Sequence, residues 1–351
     1  MKMLHPSATR WLSLEEVVNR MLKRLDALKV YFSFHDSNLD SKQIEKMNDI
    51  KKHLFNPLTE LFLTFLSYIL HKINLQNRLF QSEKPKIYKL NTEVKSLFGS
   101  SLENFLKPEC LNKTNDLGKV ELDPHNYCSL DHLYMGIEVQ LLIDKFTATS
   151  ELPSNDLHSF RVSAMNFYIT VVNQIKKRID LNDETMINLS ILDPKNIGDK
   201  IHQSIYPLLK QFPNLIDAGT VQATDDEFRV VRNLVGDWPT EEFEESISFW
   251  TKVLSTKHWD GEAAFPNLRK IVPGLLSLPH SSATVERIFS IFNLNKTKLR
   301  ICLNSSSMQG ILSSKEYVKS HKGSDGLIHI NDSLREKFKL EMYTTCNVFN
   351  N

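Results

Sequence analysis

The stretch from Lys42 to about Phe80 limits the fold more than any other part of the chain. Ile44, Met47, Ile50 and Leu54 recur at helical spacing. Behind Pro57, which suits a first-turn position, Leu58, Leu61, Phe62, Phe65, Leu66, Ile69, Leu70 and Ile73 continue the period. Nearly every face of this second helix is apolar, so it belongs at the centre of a bundle, covered by other helices.

The rest of the chain supplies the covering helices. Leu14, Val17, Val18, Met21, Leu22, Leu25 and Leu28 predict a helix from near Ser13 to about Phe32, with Ser13 and Glu16 at capping-box spacing. A further pattern runs from Ile87 through Leu90, Val94, Phe98 and Leu102 to Leu106, and a short apolar stretch spans Ile137 to Phe146. A strong amphipathic helix is expected from Ser154 to about Ile179, ending in Lys176, Lys177 and Arg178, whose charges suit the helix dipole. Ile205, Leu208 and Leu209 mark one more helix before Pro213, and Phe228, Val231 and Leu234 another. Pro239 and Thr240 then open a helix with Glu241, Glu242, Glu244 and Glu245 in its first turns and Phe243, Ile247, Trp250 and Val253 as its buried stripe. The next passes through Phe265, Leu268, Ile271 and Leu275. No alternating apolar-polar run of any length is present, which predicts a mainly α fold with very little strand.

Composition narrows the function classes. Lys plus Arg number 43 against 42 Asp plus Glu, so DNA contact would depend on local patches rather than on a global positive field. Cys110, Cys128, Cys302 and Cys346 are scattered with no Cys-x-x-Cys pair, which argues against a disulfide framework or a zinc finger and suits a reducing compartment. No run approaches the roughly 18 apolar residues of a membrane span, so no membrane partner is expected. His125, Cys128, Asp131 and His132 place metal-ligand types close together, but their spacing fits no structural zinc pattern and Pro108 to His132 reads as a solvated loop.

The most informative motif is Leu278-Pro279-His280-Ser281-Ser282-Ala283-Thr284-Val285-Glu286-Arg287-Ile288-Phe289-Ser290. Ser281 and Ser282 are placed to accept hydrogen bonds from the free N–H groups of a helix start. Val285, Ile288, Phe289 and Phe292 form an apolar stripe, and Ser282, Glu286, Ser290 and Asn293 a small polar face around one acid. On pattern alone this is an amphipathic helix with a surface glutamate. A second helix carrying Met308, Ile311, Leu312, Tyr317 and Val318, capped by Ser305 to Ser307, pairs with it.

With Lys296-Thr297-Lys298-Leu299-Arg300 behind it, the motif resembles the C-terminal signature of hAT-family transposases. That resemblance implies a C-terminal dimerisation region, in which Val285, Ile288, Phe289, Phe292, Ile311 and Leu312 are the dimerisation candidates. It also implies that Glu286 is the counterpart of the third acid of a carboxylate triad on a ribonuclease-H-like core, and that Lys296, Lys298 and Arg300 are DNA contacts.

At the other end, Thr9-Arg10-Trp11-Leu12-Ser13 has two readings. A tryptophan beside an arginine before a helix is an ordinary packing anchor. The element is also similar to the Arg-Trp element of hAT transposases, in which the tryptophan stacks on a flipped base, making Arg10 and Trp11 candidate DNA contacts. In that family the two catalytic aspartates, most of the sheet and a zinc finger precede this element, whereas here only nine residues precede Arg10.

The resemblance therefore implies a helical bundle like the hAT insertion domain plus the terminal helices of a ribonuclease-H-like core, with the sheet largely missing. The implied organisation is an Arg-Trp element and first helix over 1–35, a helical insertion over 36–240, a dimerisation region over 241–320 and a flexible tail over 321–351. One acid cannot hold the two divalent ions of strand transfer. Glu286 is expected to be a relic, with no cofactor, and Mg or Mn would enter only if a longer form supplied the aspartates. The expected activity is non-catalytic: self-association or pairing with a related transposase-like protein, with DNA as a further partner and the nucleus as the location the family implies. The competing readings are a C-terminal fragment of an active metal-dependent transposase, and a retained helical domain with a new binding role. Without its sheet, the helix after Ser282 is expected to expose apolar surface.

Overall fold

The computed structural model describes residues 11–34, 40–114, 116–197, 204–236, 238–296 and 304–320, together with Asp332 and Glu336. The expected tail over 321–351 lies outside the described residues apart from those last two. No strand occurs among the described residues. The β contacts among the described residues are isolated bridges, Leu106 with Tyr127 and Lys257 with Ala263. The fold is mainly helical and forms two compact units, Met1–Ser281 and Ser282–Asn351.

The first unit begins with α1 (Trp11–Phe34), α2 (Ser41–Leu54) and α3 (Pro57–Phe80). Because α1 already includes Trp11, Ser13 lies inside the helix and cannot be its N-cap, contrary to the capping-box spacing. Asp40 does cap α2 through a full capping box with Gln43, and Asn56 caps α3 ahead of Pro57. α3 packs against α1, α4 (Leu90–Glu103), α6 (Ile137–Ala148) and α7 (Ser154–Arg178), which is why its sequence is apolar nearly all round. Leu61, Phe65, Ile69, Phe98, Leu102, Phe105, Phe160 and Tyr168 make the first core. The Tyr168 hydroxyl donates to the Tyr134 carbonyl at 2.9 Å, and burial drives its pKa upward.

α1 and α3 run antiparallel, as three polar ties show: Lys29 to Glu60 at 3.0 Å, Ser67 to Asn19 at 2.6 Å, and Glu15 to the far end of α3. Glu15 is only 4% exposed. Its carboxylate takes Asn74 Nδ2 at 2.7 Å, His71 Nδ1 at 3.0 Å and Arg78 Nη2 at 3.4 Å, three donors on one face of α3. Burial raises its pKa, but the hydrogen bonds from Asn74 and His71 and the Arg78 charge outweigh it, and the net shift is downward.

Between α4 and α6 the chain is ordered by short turns rather than left as an open loop. α5 (Pro108–Leu111) and 3-10 turns at Leu117–Lys119, Pro124–Asn126 and Leu130–His132 follow one another. Gly136 starts α6 at φ 100°, and a Cβ there would stand 3.0 Å from the Tyr68 ring, so this corner requires glycine.

α8 (Glu184–Leu189), α9 (Pro194–Ile197), α10 (Tyr206–Gln211), α11 (Val221–Leu234), α12 (Ser246–Leu254) and α13 (Pro266–Leu276) build a second core around Phe228, Phe249, Trp250, Leu268 and Ile271. Trp250 Nε1 donates to the Leu192 carbonyl at 3.0 Å. Here the sequence reading needs correction. Thr240–Phe243 is a 3-10 turn separate from α12, and Glu245 between them is extended, paired with Lys84. The break rotates α12 so that Phe249, Trp250 and Val253 are buried, while Ile247 is exposed. Of the acids here, Glu241 and Glu244 are exposed and Glu242 pairs with Lys252 at 2.9 Å.

The start of α13 is held from a distance. The Glu227 carboxylate accepts from the N–H of Asn267 at 3.0 Å, from Leu268 N–H at 2.8 Å and from Asn267 Nδ2 at 2.7 Å. A carboxylate at a helix N-terminus meets both the free donors and the positive end of the dipole.

Candidate functional site

The second unit contains α14 (Ala283–Asn295) and α15 (Ser305–Ser320), which pack on one another. Neither serine of the motif caps α14 as its spacing predicts. Ser282 already has helical backbone angles, φ −79° and ψ −4°, and makes no side-chain cap. A capping side chain needs an extended residue to swing over the first turn. The Ser282 hydroxyl instead donates to Glu286 Oε1 at 2.6 Å. Ser281, the last residue of the first unit, donates its hydroxyl to the Phe80 carbonyl at the end of α3. The His280 ring lies beside the backbone of Ser82, with its Nε2 buried and unbonded. Burial lowers the pKa of this histidine, the Ser82 backbone partly opposes that, and Lys86 lowers it further. Ser281 thus tethers the approach to α14 onto α3, satisfying one carbonyl that a helix end leaves free.

α14 carries its apolar stripe outward. Val285 is 52% exposed, Ile288 45% and Phe289 62%, and no residue of the helix is fully buried. The more covered positions are Ala283, Arg287, Ile291 and Asn295, every fourth residue, together with Phe292. Lys296 Nζ lies 5.6 Å from the Phe292 ring. In α15 Met308 is buried, Ile311 and Leu312 are half-buried and Tyr317 is exposed. The cap of α15 is Asn304, whose Oδ1 accepts from Ser307 N–H at 2.7 Å, so Ser305 to Ser307 are first-turn residues rather than caps.

Residues 232–318 match the family model of the hAT family C-terminal dimerisation region. The match runs from the last turn of α11 through α12, α13 and α14 into α15, about a quarter of the chain. No curated protein and no solved structure matches the chain. The matched segment is by description a dimerisation region rather than a catalytic one, and Glu286 within it is exposed, with the Ser282 hydroxyl bonded to it. Among the described residues no three His, Cys, Asp or Glu side chains converge into a group able to hold a metal ion.

Of the residues that the hAT resemblance assigns to DNA, Arg10, Lys298 and Arg300 lie outside the described residues. Trp11 is the first residue of α1, with its side chain outside them, and Lys296 is exposed at the end of α14. The loop ligand types are otherwise engaged: Asp131 pairs with Arg161, His132 Nδ1 with Ser129 Oγ at 2.7 Å, and burial pushes the Cys128 thiol up. Among the described residues no helix is long and apolar enough to cross a membrane.

Proposed function

We propose that this chain acts by association rather than by chemistry, pairing with a second copy of itself, or with a related transposase-like protein, through the outward face of α14. The observation that carries this reading is the exposure of Val285, Ile288 and Phe289 on one helix inside the segment that matches a dimerisation region. Contiguous apolar side chains left in water are unfavourable, and covering each of these half-exposed ones contributes about 0.7–1.5 kcal/mol before the costs of association. Ile311 and Leu312 of α15 back the same unit.

In this reading α14 and α15 are the descendants of the terminal helices of a ribonuclease-H-like core, and Glu286 is a relic of its third acid. Residues 36–240 stand for the helical insertion and 241–320 for the dimerisation region. Arg10, Trp11, Lys296, Lys298 and Arg300 are proposed as the DNA-contacting set, and the nucleus as the site of action; the support for both is the motif resemblance. Co-expression of two differently tagged copies tests the pairing. Capture of one tag is expected to retain the other, and Ile288→Glu to abolish that retention; retention unaffected by Ile288→Glu would place the pairing elsewhere.

A further inference from the structure

The matched segment holds three tryptophans, and the structure uses them differently. Trp250 is buried with its indole N–H satisfied, and Trp238 packs on Phe249 with Lys252 Nζ 4.3 Å from its ring. Trp259 is 98% exposed. It sits at the tip of a small hairpin between α12 and α13 that is well tied for its size. His258 N–H donates to the Glu262 carbonyl at 2.9 Å, Gly261 N–H to the His258 carbonyl at 3.0 Å, and Ala264 N–H to the Thr256 carbonyl at 3.0 Å. Gly261 takes φ 88° to close the turn, and Asp260 Oδ1 accepts from Glu262 N–H at 3.0 Å. Val253 before the hairpin and Phe265 after it are both buried, so each end of the stem is anchored in the core. A fold that spends a positive-φ glycine and four hydrogen bonds on holding an indole in water gains nothing from it as a monomer.

Area gives the second argument. At their observed exposures the four side chains of the α14 stripe offer only a few hundred Å². A stable pair of proteins covers roughly 800 Å² on each partner. A 98% exposed tryptophan on an already fixed backbone offers roughly 200 Å² of coverable surface by itself, at little ordering cost. Asp260 and Glu262 follow the ring and Lys257 and His258 precede it, a mixed-charge surround that suits a protein surface and lacks the basic cluster a phosphate backbone requires.

We propose that Trp259 is an anchor residue in the pairing of two copies of this chain, its indole buried against the partner copy. The proposal rests on the pairing reading above. Its test is sedimentation equilibrium of the full chain as wild type, Trp259→Ser and Trp259→Phe, with melting curves alongside. Trp259→Ser is expected to weaken the dimer at least tenfold while leaving the melting temperature of the monomer unchanged, and Trp259→Phe to weaken it less. A dimeric wild type whose dissociation constant Trp259→Ser leaves unchanged overturns this inference and leaves the α14 reading standing; a monomeric wild type overturns both. Loss of single-stranded oligonucleotide binding in Trp259→Ser, with the dimer intact, also overturns it and assigns the ring to base stacking.

Discussion

The Ser282 hydroxyl donates to Glu286 Oε1 at 2.6 Å across the first turn of α14, and that bond fixes the acid in a solvated setting on the helix surface. A metal-bound carboxylate shares its ion with other carboxylates, and here a hydroxyl donor occupies one of its oxygens.

Glu286→Gln is therefore expected to leave the helical content, the melting temperature and the self-association of the chain unchanged to within about 0.5 kcal/mol, as for other exposed substitutions. Titration with Mn²⁺ is expected to show no saturable site that the substitution removes. A site present in the wild type and lost in Glu286→Gln would mean that the acid still works as a ligand.

Glu15 is the polar centre of the α1–α3 contact, and Glu15→Ala leaves Asn74, itself fully buried, without its carboxylate partner. A loss of about 1–3 kcal/mol in urea unfolding at pH 7 is expected. The pKa of Glu15 is lower in the folded chain than in the unfolded one, so its contribution is present above the unfolded value of about 4.3 and fades as pH falls through the folded value. The gap between wild type and Glu15→Ala should accordingly close in the acid range and stay constant from pH 6 to 8. A gap that widens on acidification would contradict this.

The central position of α3 was legible because burial on every side demands an apolar residue at nearly every position, and its apolar run is too short and too interrupted for the membrane span that shares that pattern. The stripe of Val285, Ile288, Phe289 and Phe292 was legible for the same periodic reason. Periodicity shows a face but not its neighbour, so the expectation that this face is exposed rested on the sheet that the resemblance implies to be missing and not on the pattern itself. The Glu15 cluster was invisible because its partners lie 56 to 63 residues away. Glu227 capping α13 from 40 residues off was invisible for the same reason. Ser282 misled because Ser at that spacing predicts a cap only if its backbone is extended, and here it is already helical. The acidic run after Pro239 looked like a helix start, yet Glu245 is extended and paired with Lys84 of a distant segment, and that splits the helix. Trp259 carried no directional signal, because a tryptophan between polar residues looks the same buried or exposed.

His280 of the hAT-like motif lies beside Ser82, just past the end of α3, and its depressed pKa gives that contact a pH dependence. The group is easier to protonate in the unfolded chain, so its stabilisation is present above the unfolded value of about 6.5 and declines as pH falls below it. Proton NMR titration of the ring should give a midpoint below 6.5, and His280→Ala should remove the part of the stability loss that falls between about pH 6.5 and that midpoint. A midpoint above 6.5 would show that the ring carries charge in the folded chain and that burial does not control it.

Sedimentation equilibrium of the full chain beside Phe289→Asp tests the central claim most directly, because Phe289 is 62% exposed and its replacement costs the monomer little. The account predicts a dimeric wild type and a folded, helical, monomeric variant. A wild type that stays a folded monomer at tens of micromolar, or a variant that dimerises as tightly as the wild type, would contradict it.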